Sequence, residues 1–272
     1  MKHNLNPSFT VIMTTFDNSD FTLASLHSLA LVSSCRVILA DGGSCQEEMD
    51  KLLCKIRYSD TIHRNLHVQT LILPDSSTED CRNAASALVD TPFILFMDND
   101  VRVLEQKAID MLLELLTHHA ALAAAGAYGV KVVSWDPPIA YVGTEFTSPM
   151  EVDASPCYFT LHRTEHFRAV GGFPKECFYP SLAGQYSGPG IRAYTGDLTI
   201  SKKYAEGGIK TFVPGERVPV IHWGGANQWF EQNRANEKSW HETVRHIRCN
   251  PLNQWVAQEQ WRKEGSKEYE NG

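Results

Sequence analysis

The chain has no Cys-x-x-Cys spacing, although it holds seven cysteines: Cys35, Cys45, Cys54, Cys81, Cys157, Cys177 and Cys249. An odd, scattered set in 272 residues argues against a disulfide framework or a zinc ribbon and leads to an expectation of reduced thiols in a cytoplasmic protein. Long apolar runs are also missing. The richest, residues 120–125, is far short of the roughly 20 residues that a membrane-spanning helix needs. The opening MKHNLNPSFT lacks the apolar core of a secretory leader, so none is expected. Asn6-Pro7-Ser8 fails as a glycosylation site because of its proline. Positive charge is scarce, with 25 Lys and Arg against 32 Asp and Glu and a net charge of −7. That balance argues against a general nucleic-acid surface and leaves room only for a local basic groove. There is no internal repeat and no low-complexity linker. Hydrophobic residues at 43% and charged residues at 21% describe an ordinary globular chain with a sizeable core.

Against that plain background, residues 92–101 read PFILFMDNDV. Phe93, Ile94, Leu95 and Phe96 form the continuous apolar run of a strand buried on both faces. The run ends on Asp98 and Asp100 with Asn99 between them. Acids at the carboxyl end of a buried strand sit where open α/β sheets bind ligands. Oxygen ligands of this kind suit a hard divalent cation, Mg or Mn, with substrate phosphates completing its shell. A solvated turn with Asx hydrogen bonds is the plainer alternative.

The first half alternates between strand and helix patterns. Residues 9–15, 36–40, 67–73 and 92–97 read as strands. Residues 21–32, 45–57, 78–89 and 105–125 read as helices, with Thr78 the candidate N-cap of the third. This alternation predicts an α/β fold with a Rossmann-like, mainly parallel central sheet and helices on both faces. The strand ends at residues 14–17, 41–44 and 98–100 would gather along one edge. The second half is less regular. Residues 126–133, 139–146 and 155–162 read as strands of a smaller mixed extension. Residues 178–196 form a loop rich in Gly, Pro, Tyr and Ser, long enough to suggest a gate beside Asp197. A helix over 197–206 is stopped by Gly207-Gly208, and short strands follow at 211–213 and 218–222. Residues 228–248 are polar and helical.

Several segments, in order, resemble a glycosyltransferase of family 2 with the GT-A fold, over roughly residues 8–225. They are VIMTTFDNSDFTLASLHSL at 11–29, VILADGGS at 37–44, Arg82-Asn83, PFILFMDND, AVGGFP at 169–174 and GDLTISKKYAEGGIKTFVPGERVPVIHWGG at 196–225. The chain departs from the family pattern at Thr14, where proline is usual, and at Ala40, where an acid is usual. Gly196 and Thr199 stand where two further carboxylates flank the one kept at Asp197. The resemblance implies a single domain over residues 1–272. Residues 8–125 would bind the nucleotide sugar, 126–225 would form the acceptor half, and 226–272 a C-terminal helical segment.

The resemblance also implies roles. The donor would be a nucleotide-diphosphate sugar, a UDP-sugar foremost. Asp41 would accept hydrogen bonds from its base, with Thr15, Phe16 and Asp17 lining the same pocket. Arg82 would reach the base or the phosphates, unless it is a surface arginine. Asp98 would contact the ribose or the metal shell, beside Asn99. Asp100 and His222 would hold Mn or Mg, the imidazole favouring Mn. Asp197 would be the general base that deprotonates an acceptor hydroxyl, giving inversion; a helix N-cap is its plainer role. Asp153 and Glu151 are the next carboxylates in line. Trp223 and Trp229 would offer ring faces to a glycan, glycolipid or other acceptor, while Trp240, Trp255 and Trp261 suit core or homodimer packing. A retaining transferase on the same fold and a non-catalytic nucleotide-sugar binder are the alternatives. A nucleotidyltransferase is disfavoured because no glycine-rich, arginine-containing loop follows the first strand.

Overall fold

A computed structural model describes residues 8–17, 19–135, 138–143, 148–174 and 196–222. All lie within the compact unit Met1–His222. Residues 178–195 of the loop expected at 178–196, the segment 226–272, and Trp223, Trp229, Trp240, Trp255 and Trp261 lie outside the described residues, while Gly196 opens a helix.

The first half builds a parallel sheet. Strand β1 (Phe9–Thr15) leads through helix α1 (Ser19–Val32) to β2 (Cys35–Asp41). Helices α2 (Gln46–Arg57) and α3 (Asp60–Asn65) then lead to β3 (Leu66–Ile72). Helix α4 (Thr78–Ala87) follows, and then β4 (Phe93–Asp98) and the short β5 (Val101–Val103). Strands β3, β2, β1 and β4 are neighbours in that order and all parallel. The chain therefore winds outward from β1 in one direction and then crosses to its other side. Open α/β sheets place their ligand crevice at such a reversal, beyond the carboxyl ends of the strands. The register brings those ends level: Thr15 pairs with Asp41, and Thr14 with Asp98.

Alternation along the strands explains why both faces are covered. Val11, Met13, Val37, Leu39, Leu95 and Met97 pack with α1, α2 and α5. Their neighbours Ile12, Ile38, Ala40, Ile94 and Phe96 join a second core beneath α4. Successive strand residues point to opposite faces, so the continuous apolar run of β4 fills both.

The second half extends this sheet with mixed strands. Helix α5 (Lys107–His118) is followed by β6 (Leu122–Gly126), β7 (Gly129–Trp135), β8 (Pro138–Gly143), β9 (Met150–Val152) and β10 (Phe159–Arg163). Helix α6 (Thr164–Ala169), helix α7 (Gly196–Glu206), β11 (Lys210–Val213) and β12 (Val220–His222) complete the described elements. The eight-stranded order is β3-β2-β1-β4-β10-β6-β11-β9. Strand β10 runs antiparallel to both β4 and β6, and β11 lies parallel to β6. Strands β7 and β8 form a separate antiparallel pair, as do β5 and β12.

Two expectations are corrected. The helix read over residues 105–125 ends at His118, and Leu122–Gly126 is a strand. Alanine favours helix in isolation, but Ala123, Ala124 and Ala125 are fully buried. They are laddered between β10 and β11, and tertiary pairing overrides local propensity. Gly126 ends the strand where a Cβ would strike the Ser155 side chain at 1.6 Å. The second correction is the cap of α4, which is Ser77 rather than Thr78. The Ser77 side chain accepts from the Asp80 N–H at 3.1 Å, and Asp80 Oδ2 accepts from the Ser77 N–H at 3.4 Å. This reciprocal box fixes the helix that carries Glu79 and Arg82. Ser77→Ala should therefore lower unfolding stability by about 1 kcal/mol, read as a lower urea midpoint at constant slope. An unchanged midpoint would show that the box contributes nothing.

Candidate active site

The β1 and β2 ends form one wall of the crevice. Asp41 is fully buried. Its Oδ2 accepts from the N–H groups of Gly43 and Ser44, both at 3.0 Å, and its Oδ1 accepts from the Ser44 hydroxyl. This turn needs glycine at 43, where φ is +108° and a Cβ would lie 2.9 Å from the Asp75 nitrogen. The Asp17 N–H donates to Ser44 Oγ at 2.8 Å, and the Asp17 carboxylate accepts from the Cys45 N–H at 2.6 Å. Ser44 thus joins the two loops, a role the sequence did not suggest. Phe16 stands beside them, 39% exposed.

Thr15 and Asn99 face inward. The Thr15 and Thr22 hydroxyls are 2.7 Å apart. Asn99 Nδ2 donates to Thr22 at 3.0 Å, and its backbone oxygen accepts from Ser25 Oγ at 2.7 Å. Pinning Asn99 against α1 leaves the acids on either side of it directed to the crevice.

Those acids meet a histidine from the far end of the chain. In the β5–β12 ladder His222 lies opposite Val101, the residue after Asp100. His222 Nε2 is 3.3 Å from Asp100 Oδ1 and 3.8 Å from Asp98 Oδ2. One ligand atom from each of the three residues falls within 4.8 Å of the others. Tyr158 braces the group twice. Its ring stacks on His222 at 4.2 Å and 7°, and its carbonyl accepts from the Asp98 N–H at 2.9 Å. Burial works against charge on His222, but Asp100, Asp98 and Asp197 together hold its pKa above the ordinary value. Burial and the nearby Asp100 push the Asp98 carboxyl up, against the pull of Arg82. Two carboxylates and an imidazole match the donor preferences of Mn, and of Mg with water completing the shell.

Arg82 lies under the acids, not on the surface. Only 5% of it is exposed. Its Nη2 donates to Asp98 Oδ1 at 2.8 Å, and its Nη1 to Asp197 Oδ1 at 3.3 Å. The rings of Phe173 and Phe96 flank its guanidinium at 5.4 and 5.9 Å. Burial opposes its charge, yet Asp98 and Asp197 raise its pKa further, so it is a permanent cation. Arg82 therefore ties Asp98, at the end of β4, to the acid that opens α7.

Behind Asp197 lies a buried polar row absent from the sequence reading. The Cys157 thiol hydrogen-bonds Asp197, and burial followed by the Asp197 charge keeps it neutral. Cys157 Sγ is 3.9 Å from His162 Nε2, and His162 Nδ1 is 2.9 Å from the Tyr204 hydroxyl. Burial, and then Arg82, push the His162 pKa down to about 3, so this imidazole stays neutral. No spacing rule links Cys157 and His162 to Asp197, because the antiparallel return of β10 beside β4 creates the contact. Thr199, where the family pattern has an acid, is buried at 1% exposure and faces the interior. Asp153 and Glu151 are held elsewhere. Asp153 accepts from the Val132 N–H at 2.8 Å, and Glu151 pairs with Lys210 at 2.6 Å.

No protein-family model matches the sequence, and no curated protein matches it. Solved structures do match. The structure of TarS residues 1–349 from S. aureus aligns with a TM-score of 0.54 and 17% identity, covering 78% of this chain and 59% of that one. GalNAc-T7 with UDP, GalNAc and Mn2+ aligns at 0.58 and 13%, covering 79% and 43%. The mannosyltransferase PcManGT from Pyrobaculum calidifontis, in complex with GDP-Man and Mn2+, aligns at 0.53 and 12%, covering 83% and 60%. The chain thus spans well under two thirds of each of these proteins. The shared architecture is the GT-A fold.

Proposed function

We propose that this GT-A chain is a divalent-cation-dependent glycosyltransferase that moves a sugar from a nucleotide-diphosphate sugar to an acceptor hydroxyl, with inversion. The observation that carries the reading is the line of charge across the crevice. Asp98, Asp100 and His222 cluster together, and Arg82 bonds both Asp98 and Asp197. The same fold with a sugar nucleotide and Mn2+ in PcManGT supports it.

In this reading Asp100 and His222 hold Mn or Mg, with Asp98 beside them. When bound, the cation supplies positive charge opposite the diphosphate as negative charge builds there. Phe16 and Asp17 line the nucleoside pocket, Phe16 by offering its ring, while Asp41 fixes the loop and Thr15 and Asn99, bonded to α1, hold the strand ends beneath it. A UDP-sugar is the first donor to test, since TarS has been solved in complex with UDP-GlcNAc. Asp197 accepts the proton of the acceptor hydroxyl. The oxygen bonds to the anomeric carbon, and the electron pair of the broken bond leaves with the diphosphate. The acceptor we favour is a glycan or glycolipid, and the assembly we favour is a homodimer. The cytoplasm is the compartment we favour, on the odd number and scattered spacing of the cysteines. Among the described residues no helix is long and apolar enough to cross a membrane. A retaining transferase is the second reading, because the donor side would be alike in both; the anomeric configuration of the product decides between them.

Melting curves with UDP-, GDP-, dTDP- and CMP-sugars, with and without Mn, should single out one donor class. A ligand at a hundredfold its Kd adds about 2.7 kcal/mol. Calorimetric titration with the matching nucleotide diphosphate should then show at least about tenfold weaker binding in EDTA than in Mn, a loss of roughly 1.4 kcal/mol. Asp100→Asn should show the same loss in Mn. Equal affinity in both buffers would remove the metal from the proposal.

A further inference from the structure

Gly196 stands where the family pattern carries a glutamate, and the space its side chain would take is already filled. A Cβ built on Gly196 would lie 2.3 Å from Glu79 Oε1 and 3.1 Å from Glu79 Cδ. Glu79 comes from the first turn of α4, one helical turn before Arg82. Its residue is only 5% exposed. Among the described residues Oε1 finds no hydrogen-bond partner although the atom is fully buried. A buried carboxyl oxygen without a partner costs stability, and such costs collect where a ligand is to be met.

We infer that Glu79 is the second acceptor-side carboxyl of this enzyme, a positioning residue delivered from α4 into the place beside Asp197 that Gly196 leaves open. The inference rests on the glycosyltransferase reading of the site. The absence of a side chain at 196 is then a requirement of the arrangement rather than the loss of an acid. An acceptor hydroxyl held between the two carboxyls would present its proton to Asp197, and its remaining polar contact would be Glu79 Oε1. Both carboxyls sit in the first turns of helices, the capped α4 and α7.

The electrostatics agree. Burial is the main influence on Glu79, opposed by Arg82 and by its own backbone N–H, and reinforced by Asp197 on α7 and Asp80 on α4. Together these push its pKa up to about 7. The neighbouring Cys81 thiol is neutral, pushed up to about 12 by burial. Near neutral pH Glu79 thus retains a proton for part of the time and can donate or accept a hydrogen bond. Asp197, bonded by Arg82 and Cys157, can serve as the base beside it.

Glu79→Gln separates this from a structural role. A glutamate whose pKa is raised on folding adds to stability at low pH and loses that contribution as pH rises from its ordinary value through about 7. The melting temperature of wild type should therefore fall relative to Glu79→Gln between pH 5 and pH 8. A constant difference over that range would mean an ordinary ionised carboxylate and would overturn the inference. In the second measurement both proteins turn over the sugar nucleotide selected in the melting panel, with Mn and water as acceptor. Glu79→Gln should lose at least about tenfold in turnover and the ionisation near pH 7 in its rate profile, with nucleotide-diphosphate affinity unchanged. Tight nucleotide binding with wild-type turnover and profile would overturn the role of Glu79 alone. A wild-type protein that binds no nucleotide would overturn the functional reading, and the inference with it.

Discussion

Asp197→Asn should abolish most transfer, by about 10²–10⁴-fold, the range a general base supplies, while the nucleotide-diphosphate Kd changes by less than about threefold, under roughly 0.7 kcal/mol. Asparagine retains an oxygen able to accept from Arg82 Nη1, now 3.3 Å from Asp197 Oδ1, and it keeps the shape of the first turn of α7. The fold and the donor side should therefore survive. What asparagine lacks is a proton-accepting carboxylate at neutral pH. The nucleotide-side groups belong to the ends of β1, β2 and β4, with Arg82 intervening, so donor affinity has little reason to change. Steady-state release of nucleotide diphosphate gives the first quantity and calorimetry the second. Near wild-type turnover would move the base elsewhere or favour the retaining course. Asp153 and Glu151 would not then be the substitutes, since each is committed at the far edge of the sheet. Glu79, packed on Gly196, would be the next carboxylate to test.

The parallel half of the sheet was legible because its signals are local. Strands β2 and β4 are short, mostly apolar runs bounded by polar residues, and β1 has the bounds read from the sequence. Asp98, Asp100 and His222 were legible as a group only through the resemblance. The ladder that unites them pairs residues more than a hundred positions apart, and β5 is too short to show a pattern. The strand at Leu122–Gly126 was misread because alanine's helical preference is a property of the residue, while its burial between β10 and β11 is a property of the fold. Arg82 could be taken for a surface residue, since polar flanks in a helix do not reveal that Phe96 and Phe173 will close over it. Glu79 was invisible for the same reason. Its partner in space, Gly196, draws notice in sequence only as a missing acid.

Arg82→Met should destabilise the protein and at the same time strengthen its response to Mn. Methionine can fill the slot between Phe96 and Phe173, so the principal change is the loss of charge. Breaking a buried ion pair costs about 3–5 kcal/mol. The side chains of Asp98 and Asp197 are 30% and 29% exposed, so the lower end, about 3 kcal/mol, is expected at neutral pH. Asp98, already raised by burial and by Asp100, would be raised further without the guanidinium. The destabilisation should accordingly shrink as pH is lowered and the acids take up protons. Mn acts in the opposite direction. In wild type a cation arriving at Asp98 and Asp100 shares Asp98 with Arg82, and in the variant it does not. Saturating Mn should therefore raise the melting temperature of Arg82→Met more than that of wild type and recover part of the loss by mass action. Melting curves of both proteins at pH 5.5 and 7.5, in EDTA and in Mn, test both halves. An equal Mn response in the two proteins would show that Arg82 and the cation do not share Asp98, and that the arginine supports α7 through Asp197 alone.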